Sequence, residues 1–229
     1  MESERQNLAV VAYGLLKRDI TSGHFRPGDK LLMSQLKERY QIGTGPMREA
    51  LSQLVTERLV TAASQRGFRV AKMSLQELND IYDARAHLEA MIVGLAVERG
   101  DEHWEAEVIA KAHTLASVAE IHSADEMMNL WDKRHKAFHG AIASGCGSEK
   151  LLELRAVLMD QAERYRQLWL RQTVFSAEAL EQKRREHAAI VDTLLRRDAA
   201  GASKMMLEHL LSPVPIITAI VRDARLVDA

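Results

Sequence analysis

The chain has 229 residues, 47% of them hydrophobic, 28% charged and 5% aromatic, with a formal net charge of −1. That length suits two modest domains, and the scarcity of proline and aromatics beside abundant Ala, Leu, Glu, Arg and Met points to a mainly helical protein. No apolar run approaches a membrane span, the first residues lack a signal-peptide layout, and the single cysteine, Cys146, precludes an internal disulfide, so a cytoplasmic protein without a membrane partner is expected.

Charge is unevenly spread. Residues 1–72 hold 12 basic and 7 acidic side chains, while the rest hold 19 basic and 25 acidic. A cationic front and an anionic rear suit a nucleic-acid-binding head on a body with another task.

In chain order, Leu8, Val11, Ala12, Leu15, Leu16 and Ile20 recur at helical spacing and predict a helix over 5–22, ended by Ser22-Gly23. A Pro27-Gly28 turn leads to a second helix, Leu31–Tyr40, with Ser34 as its N-cap. Gly43, Thr44 and Gly45 form a turn, Pro46 occupies a position that a first helical turn tolerates, and Met47–Arg58 follows. The runs 59–62 and 68–70 read as a short hairpin tipped by Arg66-Gly67. This is the layout of a winged helix-turn-helix, in which one helix enters the DNA major groove. Ser34, Thr44, Gly45, Arg48, Arg66 and Gly67 are the candidate DNA-contacting residues. Arg48, one turn into the second helix of the motif, can reach a guanine edge or a phosphate, and Arg66 can enter the neighbouring minor groove.

A boundary is expected near residues 72–74, giving a winged helix-turn-helix over 1–73 and an all-helical antiparallel bundle over 74–229. Ser74-Leu75-Gln76-Glu77 is a capping box and opens a helix over 75–99. Further helices are predicted at 102–121, 124–143, 149–172, 177–197 and 199–211, with a short turn over 216–222 beyond Pro213 and Pro215. Ser123, Ser148 and Ser176 are placed as caps.

Within the bundle, His135 and His139 are four apart and share one helix face. Lys136 stands where the hydrolytic zinc motif needs Glu. His187 and His209 lie one each on the last two long helices, so four imidazoles can converge on a divalent cation. Spacing alone leaves polar packing open as the other reading. Trp131 and Trp169 are read as core packing.

Gly23, Pro27-Gly28, Leu31, Leu36, Pro46, Arg48-Glu49-Ala50-Leu51, Leu54, Leu59-Val60 and Gly67-Phe68-Arg69-Val70 carry a family resemblance. They resemble the GntR family of bacterial transcription regulators. The family commonly has Ser-Arg where this chain has Gly43-Thr44, and Gly where it has Arg58, so an operator sequence is not carried over. In the rear half, Arg85-Ala86-His87-Leu88-Glu89, His135–His139, Glu186-His187, Ile190, Arg197-Asp198-Ala199 and His209-Leu210 resemble the all-helical ligand-sensing domain of the family's fatty-acid-regulator-like branch. That resemblance implies a metal held by one Asp and three His, with small carboxylates binding at it. His139, His187 and His209 match the histidines, and His135 stands at the Asp position. An all-imidazole set favours zinc or nickel over harder ions.

A narrower resemblance, to glutarate-responsive repressors of this branch, rests on Gly43–Met47, Ala143–Ser148 and Leu210–Pro213 with Pro215-Ile216-Ile217. It implies a dicarboxylate effector such as glutarate. A second carboxylate asks for an arginine fork; Arg85 is the first candidate, with an intrahelical pair to Glu89 as its alternative, and Arg164 and Tyr165 are next. The expected protein is a homodimeric repressor of a palindromic double-stranded DNA operator, because one recognition helix reads too few base pairs alone. A metal-dependent enzyme acting on a small carboxylate through the histidines is the alternative, and a ligand-blind architectural DNA binder a third reading.

Overall fold

The computed structural model describes residues 2–63 and 67–223. The front of the chain runs α1 (Glu2–Thr21), β1 (Lys30–Leu31), α2 (Met33–Tyr40), α3 (Thr44–Thr56), β2 (Val60–Ala63) and β3 (Gly67–Val70). The three strands form an antiparallel sheet in the order β1-β3-β2, so the hairpin gains a third strand that the sequence reading lacked. Two residues are too few to show a periodicity. Ala12, Leu16, Leu36, Met47, Leu51, Leu54 and Val60 fill one hydrophobic core, in which α1 packs on α3. Each large side chain removed from water here contributes about 1.5–3 kcal/mol before entropy is counted.

Two expectations about local structure change. Ser34 lies inside the first turn of α2, whose N-cap is Leu32 without a side-chain hydrogen bond, so Ser34 is not the cap. Helix α3 begins three residues early, at Thr44, with Gly43 as N-cap. Arg58, where the family commonly has Gly, takes the left-handed conformation at φ 60° just beyond α3. Leu59 N–H then reaches back to Leu54 C=O at 3.0 Å, closing the helix end.

The rear of the chain is helical throughout. It comprises α4 (Leu75–Arg99), α5 (Glu102–Ala116), α6 (Ala124–Glu126) running into a π-turn (Met127–Asp132), α7 (Lys133–Ser144), α8 (Glu149–Gln172), α9 (Ala177–Leu195), α10 (Ala199–Leu211) and α11 (Val214–Asp223). Side-chain caps start six of them: Ser74, Asp101, Ser123, Ser148, Ser176 and Asp198 each accept a backbone N–H of the first turn. Helix α5 stops five residues before the expected 121. The Arg184 guanidinium donates to the carbonyls of Ala116, Val118 and Ala119, fixing the chain in a non-helical exit. The expected helix over 124–143 holds one wide turn, which no apolar periodicity signals.

A second core, separate from the first, includes Leu78, Ile92, Met127, Phe138, Tyr165, Leu170 and Met206. Helix α10 packs along α4, and α11 lies on α8. Together Ala199–Asp223 are long and apolar enough to pass for a membrane span, contrary to the sequence reading. Ala202, Met206, Leu210, Ile217 and Val221 pack into the bundle, and Ser212-Pro213 divides the stretch into two helices.

The two units meet along α8. Lys17 on α1 bonds Asp160 on α8 and Glu57 beyond α3, the latter at 3.0 Å. Arg164 Nη1 donates to Ala71 C=O at 2.9 Å. The Tyr165 hydroxyl accepts from Ser74 N–H at 3.1 Å and donates to Glu77 Oε2 at 2.5 Å.

Candidate metal centre and nucleic-acid interface

Helix α7 presents His135 and His139 one turn apart, and α9 and α10 bring His187 and His209 against them. The ring centroids are 4.4 Å apart for His135–His139, 5.0 Å for His135–His187, 5.1 Å for His139–His209 and 5.0 Å for His187–His209. One candidate ligand nitrogen from each ring lies within 4.8 Å of all the others. Zinc–nitrogen bonds of about 2.0–2.1 Å place tetrahedral nitrogens roughly 3.3 Å apart. His135 Nε2 and His139 Nε2 are already 3.1 Å apart.

The chemistry of the rings suits a cation. His187 Nε2 is buried without a hydrogen-bond partner, a cost that coordination can remove. Burial, reinforced by the neighbouring rings, holds His135 and His139 well below the ordinary imidazole range. Burial also lowers His209, and brings His187 to about 3. All four are therefore neutral near pH 7, the state a metal requires. Glu186 Oε2 lies 3.6 Å from His209 Nδ1, and that contact holds its carboxyl down at about 2. It is placed to orient a ligand ring from outside the cluster. Arg166 Nη2 lies 3.2 Å from His135 Nδ1; because arginine only donates, that nitrogen carries the lone pair and the ring's proton sits on Nε2. The residues fit a divalent ion, with rotation of the His135 ring as the adjustment needed.

Beside the histidines, Tyr82, Arg85, Arg166 and Trp169 line a cavity of about 40 Å³. Arg85 thus reaches the cluster, and it also pairs with Glu89 at 3.4 Å. Glu89 in turn accepts from Arg155 at 2.8 Å. Arg166 pairs with the buried Asp132. Arg164 and Tyr165 are not brought to the cluster; they face the joint between the two units. Two residues along a helix correspond to about 200° of rotation, so Arg164 and Arg166 point opposite ways. The sequence reading missed Arg155 and Arg166, and read Trp169 as core packing, where it also lies. Their signal was present, because Arg155, Met159, Ala162, Arg166 and Trp169 recur at helical spacing.

In the front unit, Thr44 and Arg48 are exposed on the first turns of α3, Gly45 is half-buried, and Ser34 is exposed on α2. Gly67 is exposed at the start of β3 with φ 82°, a conformation that favours glycine. Arg66 lies outside the described residues. Buried Pro46, Met47, Ala50, Leu51 and Leu54 fix the inner face of α3, which leaves Arg48, Glu49 and Ser52 facing outward.

Comparison with known proteins decides what this pair of units is. The bacterial regulatory proteins of the gntR family match residues 8–70, and the FCD domain matches residues 80–212. The chain belongs to the GntR family. This GntR regulator is 55% identical over 205 residues to the HTH-type transcriptional repressor GlaR of Escherichia coli (strain K12), covering 90% of this chain and 93% of GlaR. It is 33% identical to the HTH-type transcriptional regulator BphR of Paraburkholderia xenovorans (strain LB400), covering 93% of this chain and 86% of that one. Among solved structures, E. coli McbR/YncC shares the fold with a TM-score of 0.75 at 22% identity, over 93% of this chain and 97% of that one. A winged DNA-binding head joined to an all-helical FCD domain makes this GntR regulator a DNA-binding transcription factor and sets aside the enzyme reading.

Proposed function

We propose that the protein is a homodimeric repressor that leaves a palindromic operator when a small dicarboxylate, glutarate above all, binds beside a zinc or nickel ion in the helical domain. The domain division is 1–73 for the head and 74–229 for sensing and dimerisation. The observation that carries the effector reading is the cationic wall next to neutral imidazoles. Arg85, Arg155, Arg166 and Lys136 face three carboxylates, those of Glu89, Asp132 and Glu163, which leaves one positive charge uncompensated. An anion is the complement that such a wall lacks. A divalent ion held by His135, His139, His187 and His209 supplies further positive charge for one carboxylate, and Arg85 or Arg166 is positioned for the other.

In the head, Thr44, Gly45 and Arg48 present the start of α3 to the major groove, with Ser34 against the backbone and Gly67 at the wing, and Arg66, just before it in sequence, supplies the minor-groove contact. Met91 on α4 and Leu154 and Val157 on the adjacent α8 are exposed apolar side chains, and they suit a seam with a second copy. The identity to GlaR supports the repressor assignment.

The test is fluorescence anisotropy of the protein's own upstream DNA. Zinc-loaded protein should bind a site of two half-sites, and glutarate should release it. Operator affinity that stays constant across millimolar glutarate rejects glutarate as effector.

A further inference from the structure

The cavity at the histidines is too small for the ligand it is proposed to take. Sites for small organic molecules usually enclose about 300–1,000 Å³, whereas the space beside Arg85 and His209 measures about 40 Å³. Room for a few waters is not room for a five-carbon diacid. A groove of about 390 Å³ lies between α5 and α9, floored by apolar side chains such as Leu115, Leu180 and Val191. The groove and the cavity share two walls, Trp131 and Lys183.

Trp131 is held in an unusual way. It belongs to the π-turn, a rare geometry that tends to occur at functional sites because it re-aims a side chain. Its indole stacks on His135 at 4.6 Å and meets Phe175 edge-on at 4.9 Å. His187 of the cluster lines the groove beside it. The other neighbouring space, beyond His209, is walled by Glu186 and Glu208, whose carboxylates repel an anion. The α5–α9 groove instead holds Lys183, which pairs with Glu186 at 2.7 Å, and Arg184, which pairs with Glu181 at 2.8 Å and donates to the Ala116, Val118 and Ala119 carbonyls, and its one acid, Asp192, pairs with Arg196 at 3.1 Å.

We propose that the α5–α9 groove is the vestibule of the sensor site, and that Trp131 is the partition whose displacement admits the effector and limits the length of acid accepted. The proposal rests on the carboxylate-effector reading above. Trp131 acts here as a specificity-determining residue, through volume. Removing the indole joins the two spaces into one that reaches the usual ligand range.

The experiment uses full-length zinc-loaded protein on labelled operator, with α,ω-dicarboxylates of five, seven and eight carbons. In Trp131→Ala the concentration of seven- and eight-carbon acids needed for half-release should fall at least tenfold relative to the unmodified chain, with zinc stoichiometry unchanged. A Trp131→Ala protein that keeps its zinc and its glutarate response, yet ranks the acids as before, overturns the partition. Failure of the unmodified zinc-loaded chain to respond to any acid overturns the effector reading instead, and the partition with it. Ala116→Trp gives an independent test, because it fills the groove from the exposed end of α5 without touching the cluster. It should slow glutarate-triggered release at least tenfold with the endpoint unchanged, and an unaltered rate overturns the vestibule.

Discussion

Thermal unfolding of metal-free and zinc-loaded protein tests the histidine cluster directly. Each of the four rings has a candidate ligand nitrogen within 4.8 Å of the others, a placement that only folding creates, so zinc should bind the folded domain and not the unfolded chain. Binding to the native state alone adds about 2.7 kcal/mol when free zinc is one hundred times Kd. For a chain of this size each kcal/mol raises Tm by roughly 2–4 °C, so the shift should be about 5–11 °C. His139 is the ring to remove, because it is buried and lies against His135 and His209. Loss of an outer hydrogen-bond partner already costs metal sites about 10–100-fold, so loss of a ligand should cost at least about 100-fold. At the same free zinc, His139→Ala then keeps only about 0.4 kcal/mol of stabilisation and shifts by less than about 2 °C. The assay is calorimetry after chelator treatment, with zinc or nickel returned at buffered concentrations. Because the head has its own hydrophobic core, its transition should not move. An equal shift in His139→Ala, or no shift in the unmodified protein at millimolar zinc, refutes a metal centre at these rings.

The lowered imidazole pKa values give a second expectation, checked by chelator competition at several pH values. Four ordinary imidazoles near pKa 6.5 would cost roughly two decades of zinc affinity between pH 8 and pH 6. Here burial keeps the rings neutral across that range, and affinity should change less than about tenfold. In the metal-free protein the unfolded chain takes up protons below about pH 6.5 while the folded rings do not, so stability present above that pH is lost as pH falls toward the His187 value of about 3. At the head, Arg48→Ala should weaken operator binding by about 1–3 kcal/mol while leaving the unfolding transition in place, measured by anisotropy and calorimetry. Unchanged operator affinity would remove Arg48 from the interface.

Local signals in the sequence were strong wherever one residue decides a boundary. The Ser74, Ser123, Ser148 and Ser176 caps mark helix starts that the structure reproduces, because a side-chain acceptor for a first-turn N–H is a property of a few adjacent residues. The histidine cluster was legible because His135 and His139 are one turn apart and the other two recur at core-facing positions. What escaped depends on partners distant in sequence. The end of α5 is set by Arg184, nearly seventy residues later, and β1 exists only because β3 pairs with it. Arg164 was named and Arg166, which the structure places beside the histidines, was not, for a different reason. Both sit on a helix that buries two faces, so burial alone does not say which face meets the histidines.

That second buried face of α8 joins the histidine cluster to the winged unit through one rigid element. The helix has 24 residues, and at 1.5 Å per residue it is a strut of about 36 Å. Arg155 and Arg166 project from one side toward the histidines, while Asp160, Arg164 and Tyr165 clamp Lys17, Ala71 and Ser74 from the other. A hydrogen-bonded helix turns as a single body. A roll of the helix at Arg166 would therefore carry the bonds to Ala71 and Ser74, and the end of the winged unit, with it.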